Sequence, residues 1–256
     1  MPRTAFLALL MVLTAAARAA EPEDAAFVVF LAYETPLNRP REAHTAAFFV
    51  RTSAEGRVLE SFTISWLPAR LKDGPRETIS PLPVPEPGTN FTLAETLAEG
   101  TRGRRRTTRW GPFQVRPELF ARARARYEQL ESGRVQYNGL DAATRGPAFA
   151  PDGSGAVNCL HAVSDIVGEA PLRTGMRRGN AGTAAVLALF VGADPARWFA
   201  RYPVVDEWLA APLGLGGVGH APGFPSRTEI SARPLAGHGD VTPEGWEGVL
   251  PSPVSR

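Results

Sequence analysis

The chain has 256 residues, of which 44% are hydrophobic and 21% are charged, and its formal net charge is +2. This is the composition of a globular protein with an ordinary apolar core, and a charge so close to zero gives no support to nucleic-acid binding. The single cysteine, Cys159, excludes an internal disulfide.

Residues 1–19 have the layout of a secretory signal peptide. Arg3 gives a positive start, an apolar run covers Ala5–Ala17, and small residues flank Arg18 before a polar segment begins. The run is too short to span a bilayer, which needs about 20 apolar residues. We therefore expect an exported protein, periplasmic or extracellular, with no integral membrane segment after cleavage. We divide the mature chain into an α+β domain over 20–213 and a Gly/Pro-rich tail over 214–256.

Three strands are predicted near the start of this domain. Residues 26–33, 44–51 and 57–66 are each rich in aliphatic, aromatic and β-branched side chains. Only a short turn ending in Gly56 separates the second strand from the third, and this spacing predicts a β-hairpin. Pro68 ends the third strand.

The middle of the chain is rich in proline and arginine. Residues 74–90 are predicted to form a proline-rich surface loop, and residues 92–98 a short helix. Five arginines lie within residues 102–109, and we interpret them as a solvated loop or strand edge, with a patch for an anionic substrate as the alternative. A short strand or turn is expected over residues 110–115.

The second half of the domain is predicted to be mainly helical. A helix should begin at Pro117 and end at Gly133, because apolar residues repeat there at three- and four-residue steps. Residues 158–167 form the next helix, with Asn158 as its N-cap and Cys159 on its apolar face. Further helices are expected over residues 179–191 and within 195–213.

Cys159 is the candidate nucleophile. The free N–H groups at the start of a helix stabilise a thiolate and an oxyanion, and a histidine is the usual base. His161 lies about 200° around the helix from Cys159 and is interpreted as structural, while His220 and His238 lie in the tail. His44 begins a strand whose same face carries Ala46, Phe48 and Val50.

A family resemblance supports this pairing. The run Asn158-Cys159-Leu160-His161 resembles the Asn-Cys-Glu-His motif of the lecithin retinol acyltransferase-like proteins, which belong to the circularly permuted branch of the NlpC-like, papain-fold hydrolases. The segment from His44 to Trp66 resembles the early hairpin of that family. The resemblance implies an α+β fold, with an antiparallel β-sheet packed against helices in a single papain-like domain. It also implies that Cys159 is the nucleophile and His44 the base.

The same resemblance points to a polar residue on the next strand that would orient His44. Glu60 is preferred, and Ser61 or Thr63 on the other face of that strand stay open, because a one-residue slip inverts the faces. Asn158, Tyr137 and Trp66 are the candidate substrate-binding residues. No cofactor and no metal-ligand cluster are expected.

Two classes of function follow from these residues. One is an exported cysteine hydrolase or acyltransferase that acts on an amide, peptide or ester bond, with a peptidoglycan peptide as the first substrate class and a lipid ester as the second. The other is an inactive papain-like module that binds an envelope component, with Cys159 as a buried core residue. A scaffold role, suggested by the long tail, is the third alternative.

Overall fold

The computed structural model describes residues 24–35, 43–54, 57–73, 84–100, 105–139, 155–167, 172, 179–192, 194–200 and 219–220. The strands are β1 (Ala25–Glu34), β2 (His44–Thr52), β3 (Val58–Ile64), β4 (Trp66–Pro68), β5 (Glu86–Asn90), β6 (Arg106–Val115), β7 (Val135–Tyr137), β8 (Gly155–Val157) and β9 (Gly219–His220). The α-helices are α1 (Arg70–Asp73), α2 (Leu93–Gly100), α3 (Pro117–Glu131), α4 (Cys159–Ser164) and α5 (Gly179–Val191). Single 3₁₀ turns follow at Asp165–Val167 and Pro195–Arg197. The α+β class is therefore confirmed.

A five-stranded sheet in the order β3-β2-β1-β6-β9 forms the centre of the fold. Strand β1 pairs antiparallel with both β2 and β6, and β2 pairs antiparallel with β3, so the predicted hairpin is confirmed. Strand β1 is apolar at almost every position because both of its faces are covered. The pairing of β1 with β6 shifts register between Val28 and Phe30, next to Gly111, whose φ of 90° favours glycine.

The two faces of this sheet pack against different helices. We call the main face the side whose core contains Phe30, Ala47 and Phe49 of β1 and β2, together with apolar residues of α3, α4 and α5. The second face has a smaller core, made of six side chains that pack against Leu93 and Leu97 of α2: Phe27, Val29, Leu31, Ala46, Phe48 and Val50. Within the described residues, α2 is the helix that contributes apolar side chains to the second face.

A second sheet has the strand order β4-β5-β7-β8. Its first strand, β4, follows β3 of the first sheet after a single residue, Ser65. Strand β5 occupies the end of the proline-rich stretch predicted as loop, which is a correction: pairing with β4 on one side and β7 on the other outweighs the low strand propensity of its Pro and Gly. Of residues 102–109, predicted as a solvated loop or strand edge, the structure describes 105–109, in which Arg106 is exposed and Arg109 is buried. These residues lead into and begin β6, which lies between β1 and β9 inside the first sheet.

The helices predicted over 92–98, 117–133, 158–167 and 179–191 are found close to their expected bounds, whereas the described part of 195–213 has only a 3₁₀ turn. The helix expected from Pro117 runs to Glu131, the one expected over 179–191 has those bounds, and the one expected over 158–167 is α4 followed by a 3₁₀ turn. No helix in the described part of the chain is long and apolar enough to cross a membrane. The signal peptide, residues 201–213 and all of the tail except Gly219–His220 lie outside the described residues.

Candidate functional site

The helix that carries Cys159 begins at a side-chain cap. Asn158 has extended backbone, and its Oδ1 accepts a hydrogen bond of 2.9 Å from the backbone N–H of His161. The cap makes Cys159 the first residue of α4, as the sequence predicted. Both side chains are buried, Asn158 completely and Cys159 with 5% of its surface exposed.

Arg126 of α3 closes the other end of α4. Its guanidinium donates to the carbonyl oxygens of Ala162 and His161, both at 3.1 Å, and pairs with Asp165 at 3.0 Å. Burial lowers the pKa of Arg126 to about 10, against the opposing effect of Asp165. Burial also raises the pKa of Asp165, with Arg126 opposing that shift. This buried cation therefore donates to two carbonyls in the last turn of the helix that carries the cysteine, one of which, that of His161, also accepts from the backbone N–H of Asp165.

His44 is held by a relay of hydroxyl groups on the second face. Its Nε2 lies 2.9 Å from Ser65 Oγ, and Ser65 Oγ lies 2.8 Å from Oγ1 of Thr96 in α2. Thr96 Oγ1 also lies 2.8 Å from the carbonyl oxygen of Thr92, which can only accept. All three bonds form if Thr96 donates to Thr92, Ser65 donates to Thr96 and His44 donates from Nε2 to Ser65. The relay therefore favours the neutral tautomer with its proton on Nε2.

The other ring nitrogen of His44 has no hydrogen-bond partner among the described residues. Nδ1 is buried, and the whole side chain is only 1% exposed. Burial lowers the pKa of His44 to about 3, and the nearby Arg105 guanidinium lowers it further. A buried acceptor without a partner costs free energy, so this atom calls for an explanation.

Tyr33 lies between His44 and the charged groups near α2. Its ring centroid is 5.0 Å from that of His44, and the Arg105 guanidinium lies 5.3 Å from the Tyr33 centroid. Arg105 is in turn paired with Glu99. Burial raises the pKa of Tyr33 strongly, Arg105 opposes the shift, and Glu99 and Cys159 each add to it. Tyr33 is therefore within electrostatic reach of the cysteine.

The structure places His44 and Cys159 on different faces of the first sheet. His44 alternates with Ala46 and Phe48 of the second face, while Cys159 belongs to the core of the main face. Helix α4 packs on β2, so the two residues share one region of the sheet. No hydrogen bond joins them within the described residues, because Nε2 binds Ser65 and Nδ1 is without a partner. The dyad is not assembled in this geometry.

The predicted orienting residue is corrected from Glu60 to Ser65. Glu60 pairs across the hairpin with Arg51, seven positions from His44, and at about 3.3 Å per residue this puts it roughly 20 Å away. Its carboxylate contacts Arg51 and Arg124 instead. Ser61 and Thr63 pair with Val50 and Phe48, also too far along the strand. The position of the hairpin turn already contained the information needed to find this partner. When the pairing of β2 with β3 is counted residue by residue away from the turn, residues 65–67 lie opposite the first residues of β2.

The three candidate substrate-binding residues are packed inside the protein. Asn158 is fully buried, Trp66 is 1% exposed and Tyr137 is 2% exposed, and the last two belong to the core of the main face. His161 is also buried, and its Nε2 lies 2.9 Å from the Leu172 carbonyl oxygen, as expected of a structural histidine. These contacts give the side chains packing roles in the observed state.

The arginines around the start of β6 have partners within the protein. Arg105 pairs with Glu99, Arg106 pairs with Glu34 at 3.1 Å, and Arg109 donates to the carbonyl oxygen of Gly111. Because these side chains engage internal acceptors, the positive charge in this part of the predicted patch for an anionic substrate is largely compensated. Among the described residues, no group of three or more His, Cys, Asp and Glu side chains is arranged to hold a metal ion.

The described geometry therefore contains two separate buried polar centres. One surrounds Cys159 and α4 on the main face, and the other surrounds His44 and Tyr33 on the second face. Comparison of the chain with protein-family models, with curated proteins and with solved structures finds no match.

Proposed function

We propose that this protein is a non-catalytic module of papain-like, circularly permuted NlpC-like type that acts by binding a component of the bacterial envelope. The observation that carries the proposal is the separation of Cys159 and His44 onto opposite faces of the first sheet, with both side chains buried. A thiol buried among apolar residues behaves as a small hydrophobic side chain.

The state of His44 also supports a non-catalytic role. A general base works best with a pKa near the operating pH. Burial lowers the pKa of His44 to about 3, so its affinity for a proton at neutral pH is small. Its Nε2 is engaged by Ser65, and Glu60 lies too far away to act as the third member of a triad.

The class of target follows from the sequence rather than from a pocket. The expected signal peptide directs the chain out of the cytoplasm, and the Asn-Cys-x-His run resembles a family that includes amide- and ester-cleaving enzymes. An inactive member of such a group keeps an affinity for the substrate class. A peptidoglycan peptide is the first target on this argument, and a lipid ester is the second.

A cysteine hydrolase or acyltransferase is the second candidate, and one observation favours it. His44 Nδ1 is a buried lone pair without a partner, and the adjacent Tyr33 is within electrostatic reach of Cys159. Ser65 holds Nε2 as the third residue of a triad would, which leaves Nδ1 to take a proton. Catalysis would require a rearrangement that brings this nitrogen to the thiol.

Alkylation of Cys159 separates the two candidates. Iodoacetamide is applied to the mature wild-type protein and to His44→Gln between pH 6 and pH 9. For the binding module we expect alkylation far slower than in urea, with no difference between the two proteins. Rapid alkylation with a thiol pKa well below about 8.5, shifted by the substitution, would establish the enzyme instead.

Binding is tested separately with purified peptidoglycan sacculi. The wild-type protein and Cys159→Ser should co-sediment with the sacculi equally, and neither should release peptides. An equal failure of both proteins to sediment would reject the peptidoglycan target. Release of peptide by the wild-type protein alone would reject the non-catalytic role.

A further inference from the structure

Helix α2 covers the second face of the first sheet with few side chains. Leu93 and Leu97 contact its apolar core, and Thr96 is completely buried. The N-terminus of α2 is stabilised locally by a capping box, in which Thr92 and Glu95 exchange side-chain to backbone hydrogen bonds. The described contacts of this eight-residue helix with the sheet are thus the two leucines, the Thr96 hydroxyl, the pairing of Glu99 with Arg105 and the close approach of Gly100 to Tyr33.

That hydroxyl group connects α2 to His44. Thr96 is bonded to Ser65, and Ser65 is bonded to the imidazole, so the relay joins the helix to the start of β2. The imidazole fits beneath α2 only while it is uncharged, because it is 1% exposed and its Nδ1 has no acceptor in reach among the described residues. A second proton would place a cation in this apolar site.

The surrounding charges do not compensate such a cation. From β1 the neutral Tyr33 ring faces His44, and Arg105, which precedes β6, adds positive charge. The carboxylate that α2 brings near is Glu99, and it is paired with Arg105. Glu95, the other acid of α2, pairs with Lys72 and caps the helix.

We infer that α2 is an acid-released cover over the second face of the sheet, held closed by His44 in its uncharged form. Opening of α2 hydrates the imidazole and lets it take up a proton, so the open state gains free energy as the pH falls below the ordinary histidine pKa of about 6.5. The closed state does not take up this proton until the pH approaches 3. Release uncovers the part of this apolar core that Leu93 and Leu97 contact.

The coupling between opening of α2 and protonation of His44 predicts how strongly opening depends on pH. For an open-state pKa of about 6.5, the equilibrium constant for opening should rise about 30-fold between pH 7.5 and pH 5.0. This window lies above the range in which Glu95 titrates: burial raises its pKa, but the hydrogen bonds from Thr92 and Lys72 outweigh burial and hold the pKa below its ordinary value. Loss of the capping box therefore does not account for an effect within the window.

Hydrogen exchange of the full mature chain measures this opening. After correction for intrinsic rates, the protection of residues 93–100 should fall about 30-fold between pH 7.5 and pH 5.0, while residues 117–131 of α3 keep theirs. His44→Gln retains a donor for Ser65 and cannot be protonated, so its α2 should lose no protection over this range. An unchanged ratio of α2 to α3 protection in the wild-type protein overturns the inference even if the variant does not fold. An equal fall in His44→Gln overturns it as well.

Discussion

Replacement of Arg126 by methionine tests whether the end of the cysteine helix depends on one buried cation. Methionine keeps most of the aliphatic length but removes the Arg126 donors to the carbonyl oxygens of Ala162 and His161, of which His161 keeps the backbone N–H of Asp165, and it leaves Asp165 without its counter-charge. Arg126 is 4% exposed and the Asp165 side chain 13% exposed, so the pair belongs to the buried class. Removal of one partner from a buried pair costs about 3–5 kcal/mol.

Urea denaturation of the wild-type protein and Arg126→Met gives the free energy of unfolding directly. Arg124→Met is the matched control from the same helix, because the Arg124 side chain is 41% exposed and its ion pairs with Glu60 and Glu128 should contribute less than about 1 kcal/mol. Equal losses in the two variants, or a loss below about 1 kcal/mol in Arg126→Met, would refute the structural role given to Arg126.

The pH dependence of the same variant has a definite sign. Without Arg126 the pKa of Asp165 rises further above its unfolded value, because burial is no longer opposed by a cation. A carboxyl group with a raised pKa in the folded state stabilises the fold below its unfolded pKa and loses this contribution as the pH rises through the folded value. Arg126→Met should therefore lose less stability at pH 4 than at pH 8, and an identical loss at both would argue against an uncompensated Asp165.

Two further substitutions test local packing. A methyl group on Gly88 would meet the indole of Trp66, whose Cη2 would lie 2.8 Å away. Gly88→Ala should therefore lower the free energy of unfolding, measured by urea denaturation, by about 1–3 kcal/mol. An unchanged denaturation midpoint would contradict the close approach. Asn158→Ala removes the cap of α4 and should cost about 1 kcal/mol in the same assay, with a loss below about 0.3 kcal/mol indicating that the cap is dispensable.

The long elements of the fold could be predicted from the sequence because their patterns are local. Continuous apolar runs predicted β1 and β2, and the recurrence of apolar residues at three- and four-residue steps predicted α3. Strands β5, β7 and β8 were missed because each is at most five residues long, and the alternation of β7 covers only three residues, which is too short to identify a strand. Such strands form only because neighbouring strands in the second sheet satisfy their backbone groups.

The candidate site was predicted less well, since it depends on which face a side chain occupies. The helix start at Cys159 and the buried strand position of His44 follow from capping and alternation. The side of the sheet on which α4 packs is a tertiary property, and no local pattern around residue 159 specifies it. The partner of His44 needed only the hairpin register, which leads to Ser65 rather than Glu60.

The double-sided burial of β1 has a consequence for the nascent chain. Strand β1 precedes both of its partners in the chain: β2 can shield one edge soon after β1 is synthesised, but the other edge stays open until β6 is complete at Val115. An apolar strand with an unpaired edge is a template for association with other chains. The distance between β1 and β6 along the chain therefore sets how long this edge is open to association during synthesis.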